Sequence, residues 1–343
     1  MKASTKVSEN TATIHGDQCD VWKRWRAPHF EDEVIRGEEC AGYGCRTTPF
    51  KMHFPTTVLG SIAAICATAN GALTRVNDFG SNPSNLQMNI YVPAKVAPKP
   101  AIILALHYCG GTGEAYSQST KYNNLAEQKG FINIFPSTKK DNNCWEVNTD
   151  KGLSRDKGGD NQGLNNMIQY TIQKYGADPS KVFVTGSSSG CMMTNVMMAT
   201  YPDVIAAGSC YSGVAAGCVA GSPGASPSTA DPRCANGQVI KTQGQWVEQV
   251  KAMYPGYTGS YPRMMTWHGT ADTLVKIPNL GEQLKEWSGL LGVSFTKNVT
   301  NTPQNGYTQM VYGDGKKLIG YSAQGVGHTV PVHEDEDMKW FGL

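Results

Sequence analysis

The stretch Lys181-Val-Phe-Val-Thr-Gly-Ser-Ser-Ser-Gly190 decides the fold of this chain. Val182, Phe183 and Val184 form a short apolar run, which is typical of a strand buried in a parallel sheet. Residues 189–200 are Met-rich and apolar on most faces, and this pattern predicts a helix. The glycines and serines at the end of the quoted stretch must therefore form a tight turn between a strand and a helix.

The segment Gly186-Ser-Ser-Ser-Gly190 fits the G-x-S-x-G pattern, and its strand–turn–helix context is that of a nucleophile elbow. In such a turn the central residue, here Ser188, takes a strained backbone conformation, and the flanking glycines remove side chains that would collide with the strand and the helix. The hydroxyl of Ser188 is then held at the N-terminus of a helix, whose dipole favours developing negative charge. A Gly/Ser loop that matches the pattern by chance is the alternative, and the flanking strand and helix favour the elbow.

Composition excludes several classes of protein. The chain has 343 residues, of which 40% are hydrophobic, enough for one large core or two small ones. A net charge of +2 without a polybasic stretch gives no electrostatic footprint for nucleic acid. None of the ten cysteines forms a C-x-x-C pair or a His/Cys ligand pattern, so we expect neither a metal site nor a cofactor.

The N-terminal part of the chain does not follow the pattern of the rest. Residues 1–51 show no helical or strand period, and we expect them to be a disordered extension or to lie upstream of a mis-assigned start. Residues 52–72 begin with Met52, contain a short apolar core and end in small residues, which predicts a secretory signal peptide. The apolar core is too short for a comfortable membrane span. The alternative is a buried helix in a genuine N-terminal domain.

From residue 73 to residue 343 strands and helices alternate, which predicts a single domain. Alternation of this kind implies right-handed βαβ units and a doubly wound, mostly parallel sheet flanked by helices, an α/β fold. Ligands in such sheets bind at the carboxyl ends of the strands, where the elbow lies. The predicted strands cover residues 86–92, 101–106, 131–135, 182–184, 204–210, 264–267 and 307–312, and the predicted helices cover 115–129, 161–175, 189–200, 280–290 and 334–341.

A serine hydroxyl needs an adjacent base, and the base needs a third group to orient it. In this fold the chain order is nucleophile, acid and histidine, so only His328 and His333 are suitable among the seven histidines. His328 stands in a glycine-rich loop that can present an imidazole. His333 adjoins acidic residues that suit the start of the last helix, where a surface histidine is expected. We therefore predict that His328 is the base.

The orienting acid should follow a strand after the elbow. Asp272 does so, a few residues beyond the predicted strand 264–267. Asp231 lies in a Gly/Ser/Pro-rich loop, and Asp314 lies in a Gly-Asp-Gly hairpin signal, so both are more simply explained as turn residues. We therefore predict Asp272.

The tetrahedral intermediate of acyl transfer needs hydrogen-bond donors aimed at its oxyanion. One donor should be the backbone N–H of Ser189, the residue after the nucleophile. The other should come from Leu106-His-Tyr-Cys-Gly-Gly-Thr-Gly113, where glycines let backbone amides turn inward. We predict the N–H of Cys109, with that of Tyr108 as the alternative. The alternative is that this segment is an ordinary Gly-rich turn with no catalytic role.

From about residue 73 to residue 343 the chain resembles fungal acetylxylan esterases of carbohydrate esterase family one. The resemblance implies an α/β-hydrolase fold, with Ser188, Asp272 and His328 at the positions of nucleophile, acid and base, and with an oxyanion amide at Cys109. The motifs that carry the resemblance are His107-Tyr-Cys-Gly-Gly, Cys144-Trp145, Val184-Thr-Gly-Ser-Ser-Ser-Gly190, Ala199-Thr-Tyr-Pro-Asp-Val204, Trp267-His-Gly-Thr-Ala-Asp272 and Tyr321-Ser-Ala-Gln-Gly-Val-Gly-His328.

The resemblance also bears on the cysteines. It implies a disulfide between Cys218 and Cys234 and allows one between Cys109 and Cys144. Cys191 and Cys210 stand where that family usually carries small residues, and we expect them to be either buried thiols or an extra pair. The sequon Asn298-Val-Thr300 is an N-glycosylation acceptor of a secreted protein, which would place it on the surface.

The activity that the resemblance implies is that of a secreted serine esterase, expected to be monomeric, which removes O-acetyl groups from xylan without binding nucleic acid or membrane. Trp145 and Tyr108 are expected either to flank the mouth of the site and pack against a sugar or to belong to the core. A feruloyl esterase or a depolymerase of short polyesters would share the fold and the motifs. A non-catalytic carbohydrate-binding protein is a further alternative, against which the intact Ser/Asp/His set argues.

Overall fold

The structure, a computed structural model, describes residues 71–343 and the backbone of two earlier segments, β1 (Arg36–Glu39) and β2 (Arg46–Pro49). The chain divides into two compact units, Met1–Cys66 and Ala67–Leu343. In the first unit β1 and β2 pair antiparallel, although the sequence predicted no strand before residue 52. These four-residue strands are polar in sequence and have no apolar alternation by which they could be detected. The rest of the predicted extension, and the predicted signal peptide up to residue 70, lie outside the described residues.

A ten-stranded sheet is the centre of the second unit. Its strands are β3 (Ala72–Val76), β4 (Gln87–Val92), β5 (Ile102–Leu106), β6 (Ile132–Ser137), β7 (Val182–Ser187), β8 (Ala207–Tyr211), β9 (Arg263–Gly269), β10 (Phe295–Thr300), β11 (Tyr307–Tyr312) and β12 (Leu318–Ala323). They lie in the order β10-β11-β12-β9-β8-β7-β5-β6-β4-β3. The strands from β12 to β6 run parallel, and antiparallel pairings close both edges.

Helices cover both faces of this sheet. They are α1 (Gly113–Ser119), α2 (Tyr122–Lys129), α3 (Asp160–Tyr175), α4 (Ser189–Thr200), α5 (Pro232–Ala235), α6 (Gln243–Met253), α7 (Pro278–Leu291) and α8 (Glu334–Phe341). Alternate side chains of one strand enter two separate cores. Leu104 of β5 belongs to a core that also contains residues of α3, α4, α6 and α7, whereas Ile103 belongs to one that contains residues of α1, α2 and α8. Side chains alternate because successive Cβ atoms of a strand point to opposite faces. The predicted doubly wound α/β-hydrolase fold is confirmed.

Several elements of the second unit differ from the sequence prediction, and β3, α5 and α6 are among those that it missed. The helix predicted over residues 115–129 is two helices, because Thr120 has an extended backbone and its hydroxyl donates to the carbonyl of Tyr116. The edge strand β10 was not predicted because nearly all its side chains are exposed, so its sequence has no alternation of apolar and polar residues that would indicate a buried face. The strand β12 was also missed, and it leads into the loop that carries His328.

Three disulfides lie in the second unit and join Cys109 to Cys144, Cys191 to Cys210 and Cys218 to Cys234. The second pair settles the open alternative for its two cysteines, which are bonded to each other. Asn298 of the sequon is exposed on the edge strand β10. Among the residues that the structure describes, no helix is long and apolar enough to cross a bilayer.

Candidate active site

The turn between β7 and α4 has the strained geometry of a nucleophile elbow. Ser188 has φ 54° and ψ −117°, a conformation that a non-glycine residue rarely adopts. A Cβ at Gly186 would lie 2.5 Å from the carbonyl carbon of Gly190, and a Cβ at Gly190 would overlap the carbonyl of Leu106. The N–H of Ser188 donates to the carbonyl oxygen of Tyr211 at 2.7 Å, which ties the turn to β8. Both glycines are therefore required by the close approach of strand and helix.

Two loops meet beside this turn because β12 pairs parallel with β9. The loop after β9 carries Asp272, and the loop after β12 carries His328. The N–H of Ala271 donates to the carbonyl oxygen of Val326 at 3.0 Å, and the N–H of Gly325 donates to Oγ1 of Thr270 at 2.8 Å. These hydrogen bonds fix the position of the two loops relative to each other.

Of the three side chains predicted to act together, that of His328 is within hydrogen-bond distance of both others. Nε2 of His328 lies 2.8 Å from Oγ of Ser188, and Nδ1 of His328 lies 2.8 Å from Oδ2 of Asp272. The Asp272 side chain is fully buried, whereas that of His328 is 20% exposed. The imidazole therefore lies between a buried carboxylate and a hydroxyl that follows the carboxyl end of the central strand β7.

The alternatives to this set have other surroundings. The ring of His333 stacks on Trp267 with the centroids 4.5 Å apart. Asp231 caps α5 by accepting from the N–H of Arg233. Asp314 lies in the turn between β11 and β12. The two aspartates are turn residues, as the sequence predicted. His333 does lie at the start of α8, but it is half-buried against Trp267 and is not the surface residue that was expected.

The carboxylate of Asp272 is oriented by four donors. Its Oδ1 accepts from the N–H groups of Leu274 and Val275 at 2.9 and 2.8 Å, and its Oδ2 faces Nδ1 of His328 and, at 3.4 Å, Nε2 of His268. Burial opposes ionisation of Asp272, but the hydrogen bonds from His268, His328 and Val275 outweigh it and lower the pKa well below its ordinary value. The group is thus a stable anion that favours Nδ1 as the protonated nitrogen of His328.

His268 is a contact of the site that the sequence analysis did not assign. Its side chain is fully buried, and Nε2 lies 2.7 Å from the carbonyl oxygen of Val275, so Nε2 carries the proton. The same nitrogen lies 3.4 Å from Oδ2 of Asp272. The spacing within Trp267-His-Gly-Thr-Ala-Asp272 was the available signal, since both residues border one short loop.

Two backbone amides are available near the nucleophile. Cys109 lies inside a turn closed by a 3.0 Å bond from the N–H of Gly111 to the carbonyl oxygen of Tyr108. Ser189 is the first residue of α4, where backbone N–H groups have no partner within the helix. No hydrogen bond within residues 71–343 uses the N–H of either Cys109 or Ser189. Both predicted donors are therefore free to meet an oxyanion.

His107 fixes this turn and does not act as a base. Its Nδ1 donates to the carbonyl oxygen of Tyr108 at 2.8 Å, and its Nε2 accepts from the N–H of Thr138 at 3.4 Å. Burial lowers the pKa of the imidazole, and the bond to Tyr108 only partly offsets this. A neutral ring satisfied at both nitrogens holds the carbonyl of Tyr108 in place.

The two predicted substrate contacts have different positions. Tyr108 is 42% exposed and adjoins the free N–H of Cys109, so its ring is accessible to a ligand. Trp145 is 0% exposed, and its Nε1–H donates to the carbonyl oxygen of His107 at 2.8 Å. The prediction of Trp145 as a sugar-contacting residue is therefore wrong, because the ring belongs to the core beneath the turn.

The arrangement is suited to acyl transfer. A hydroxyl bonded to an imidazole can lose its proton as it attacks a carbonyl, and a buried carboxylate stabilises the imidazolium that forms. Free amides at a helix N-terminus and in a tight turn can bind the developing oxyanion. Among the described residues, no group of three or more His, Cys, Asp or Glu side chains is placed to hold a metal ion.

Comparison with known proteins finds similarity along most of the chain. A family model described as esterase PHB depolymerase matches residues 86–237. The feruloyl esterase B of Neurospora crassa is 49% identical over 84% of this chain and 99% of its own length. The acetylxylan esterase A of Aspergillus awamori is 47% identical over 84% of this chain and 95% of its own length. The solved structure of an acetyl xylan esterase from Aspergillus awamori matches with a TM-score of 0.75 at 47% identity, over 79% of this chain and 99% of that one.

Proposed function

Because the chain belongs to the family of fungal acetylxylan esterases, carbohydrate esterase family one, and is a carboxylic ester hydrolase, we propose that it removes O-acetyl groups from acetylated xylan. The family resemblance predicted from short motifs is thereby confirmed. An ester hydrolase is also not the non-catalytic carbohydrate-binding protein that the sequence left as an alternative.

In the proposed reaction Ser188 is the nucleophile. Its Oγ forms a bond to the acetyl carbonyl carbon, and Nε2 of His328 takes the proton from the hydroxyl. Asp272 holds the imidazole in the tautomer that leaves Nε2 free to accept. The N–H groups of Cys109 and Ser189 bind the oxyanion of the tetrahedral intermediate.

The intermediate collapses when the bond to the sugar oxygen breaks, and His328 gives its proton to that oxygen. The product that remains is an acetyl ester of Ser188. Water, deprotonated by His328, then attacks this ester and releases acetate and the free serine. The observation that supports the scheme most is the pair of 2.8 Å contacts that link the hydroxyl, the imidazole and the buried carboxylate.

The exposed ring of Tyr108 is the proposed contact for the sugar. It lies one residue before Cys109, so a xylose unit bound on it would be next to the oxyanion site. Aromatic rings bury a large apolar area at little conformational cost, which suits the flat face of a sugar. The ring also packs edge-on against Tyr116 with the centroids 6.4 Å apart, which limits its movement.

Labelling with a serine-directed fluorophosphonate tests the nucleophile. We expect labelling of the wild-type protein, no labelling of Ser188→Ala, and strongly reduced labelling of His328→Ala. The matched control is His333→Ala, since that ring also lies near the C-terminus but makes no contact with Ser188. Labelling of Ser188→Ala at the wild-type rate would show that another residue is the nucleophile.

A feruloyl esterase is the second candidate, because relatives named for that activity match the chain as closely as those named for acetylxylan. Parallel assays with acetylated xylan and methyl ferulate separate the two. We expect acetate release to have the higher kcat/KM. A preference for the ferulate would replace the proposed substrate and leave the proposed mechanism intact.

The proposed site of action is outside the cell. The signal-peptide pattern of residues 52–72 supports secretion, and in the structure β3 begins at the last residue of this segment, Ala72. Sequencing the N-terminus of the protein from culture medium tests this. We expect it to begin near Leu73, and a secreted protein that keeps residues 1–51 would contradict the proposal.

A further inference from the structure

Three consecutive residues with left-handed backbone conformation lie beside the proposed oxyanion site. Asp141, Asn142 and Asn143 have φ values of 42°, 57° and 55°. Asn and Asp tolerate this region better than other non-glycine residues, but a run of three is unusual. Conformations of this kind persist only where the surroundings impose them, and they concentrate at functional sites.

The run is bonded to the turn that carries Cys109. The N–H of Gly110 donates to the carbonyl oxygen of Asn142 at 2.8 Å, and Nδ2 of Asn143 donates to the carbonyl oxygen of Gly111 at 3.0 Å. The next residue, Cys144, forms the disulfide with Cys109 itself. Three separate bonds therefore connect this segment to the turn.

The same segment also contacts the second amide donor. The backbone N–H of Trp145 donates to Oγ of Ser189 at 2.9 Å, and both residues are fully buried. The indole N–H of Trp145 also donates a hydrogen bond to the carbonyl oxygen of His107. Residues 141–145 thus connect Cys109 and Ser189, the two residues whose N–H groups are the proposed oxyanion donors.

The outer end of the segment is anchored on the other side. The carboxylate of Asp141 accepts from the N–H groups of Ala225 and Ser226 at 2.5 and 2.7 Å and from the hydroxyl of Thr229 at 2.8 Å. Burial opposes ionisation of Asp141, but these donors together lower its pKa. A carboxylate held by three donors prevents the run from moving away from the turn.

We propose that residues 141–145 form a brace that sets the spacing of the Cys109 and Ser189 amides, and that Asn143 is its positioning residue. The inference rests on the proposed function, since it concerns the oxyanion site of that reaction. Asn143 does not touch the substrate. Its amide fixes Gly111 and so the turn, while its left-handed backbone leads the chain into Cys144 and Trp145.

Two substitutions separate the two contributions of Asn143. Asn143→Gly removes the amide but still permits positive φ, whereas Asn143→Ala removes the amide and disfavours that φ. With p-nitrophenyl acetate we expect Asn143→Ala to lower kcat by about 10- to 100-fold, because small displacements of oxyanion donors are costly. Asn143→Gly should lose less, and KM should stay within about threefold in both, since ground-state binding is not affected.

The inhibition constant of a small boronic acid supplies a second measurement. Its tetrahedral adduct on Ser188 places an oxygen in the oxyanion site, so its affinity should fall in proportion to kcat. The matched control is Asn301→Ala, the same substitution at an exposed turn residue with φ 56° after β10, where we expect wild-type kcat. Thermal unfolding identifies the folded variants, and Asn143→Gly decides the matter if Asn143→Ala does not fold.

If both folded Asn143 variants had wild-type kcat and wild-type boronate affinity, the proposal that residues 141–145 position the two amides would be wrong. A higher KM with unchanged kcat would overturn it as well, because Asn143 would then contact substrate. If the wild-type protein neither hydrolyses the ester nor binds the boronate, the proposed function itself fails, which is a different result.

Discussion

Asp272→Asn is the substitution whose consequence follows most directly from the geometry. Oδ1 of Asp272 accepts from the N–H groups of Leu274 and Val275, so an asparagine would keep its carbonyl oxygen at that position. Its NH2 group would then replace Oδ2 and face Nδ1 of His328, now 2.8 Å from the carboxylate. A donor at that place requires Nδ1 to be the acceptor, so the proton of His328 moves to Nε2.

A proton on Nε2 prevents the imidazole from accepting the proton of Ser188. We therefore expect kcat to fall by about 10⁴-fold, as for the corresponding change in other Ser-His-Asp enzymes. This loss equals about 5 kcal/mol of transition-state stabilisation. KM should change little, because the carboxylate is fully buried and does not contact the substrate.

Steady-state release of p-nitrophenolate from p-nitrophenyl acetate measures this effect. Asp231→Asn and Asp314→Asn are the matched controls, since the chemical change is the same and both carboxylates lie in turns. We expect both controls to keep kcat close to that of the wild type. Circular dichroism and thermal unfolding verify that each variant is folded.

Two results would refute the reasoning. One is a folded Asp272→Asn variant with kcat within about tenfold of the wild type, since a reversed tautomer cannot support that rate. The other is a control variant that loses as much activity as Asp272→Asn. Either result would mean that the contact between Asp272 and His328 does not set the protonation of the base.

Three further predictions concern other parts of the domain. Tyr108→Ala should raise KM for acetylated xylo-oligosaccharides by about 5- to 10-fold, because the lost ring surface is worth roughly 1 kcal/mol or more of binding free energy. Its kcat for p-nitrophenyl acetate should not change. An unchanged KM would show that the ring is not a sugar contact. Trp145→Phe removes the bond to the carbonyl of His107 and should lower kcat about tenfold without a rise in KM, whereas a rise in KM alone would contradict its assignment to the core. Burial raises the pKa of Asp337 from 3.8 to about 7, against hydrogen bonds from Ser209, Tyr122 and Tyr211. Since the folded state keeps a proton that the unfolded chain has lost, stability should fall between those two pH values by at most about 1.4 kcal/mol per pH unit. Urea unfolding at pH 5 and pH 8 should show a smaller loss in Asp337→Asn, and an equal loss in both proteins would exclude Asp337 as the source.

The order of residues along the chain was enough to select Ser188, Asp272 and His328. The elbow has a local sequence signal, because an apolar run followed by glycines at 186 and 190 marks a tight turn, although the contact that requires Gly190 is with Leu106 of β5. The two competing aspartates are turn residues for equally local reasons. These parts of the fold could be predicted because their sequence signals lie within a few residues.

Other features depended on contacts between distant residues. Trp145 has the same sequence signal whether it faces a sugar or the core, and its burial is decided by the turn at His107 that packs over it. A pattern of residue types does not record which surface another segment will cover.

The sequence by itself determined the βα alternation, the elbow and the three side chains proposed for catalysis, because hydrophobic period, glycine sterics and chain order are written along the chain. Only the tertiary structure decided that His328 meets Asp272, since β12 inserts beside β9 and aligns their loops. It also decided that residues 141–145 reach both Cys109 and Ser189. Such contacts arise from the pairing of segments far apart in sequence, which no local pattern specifies.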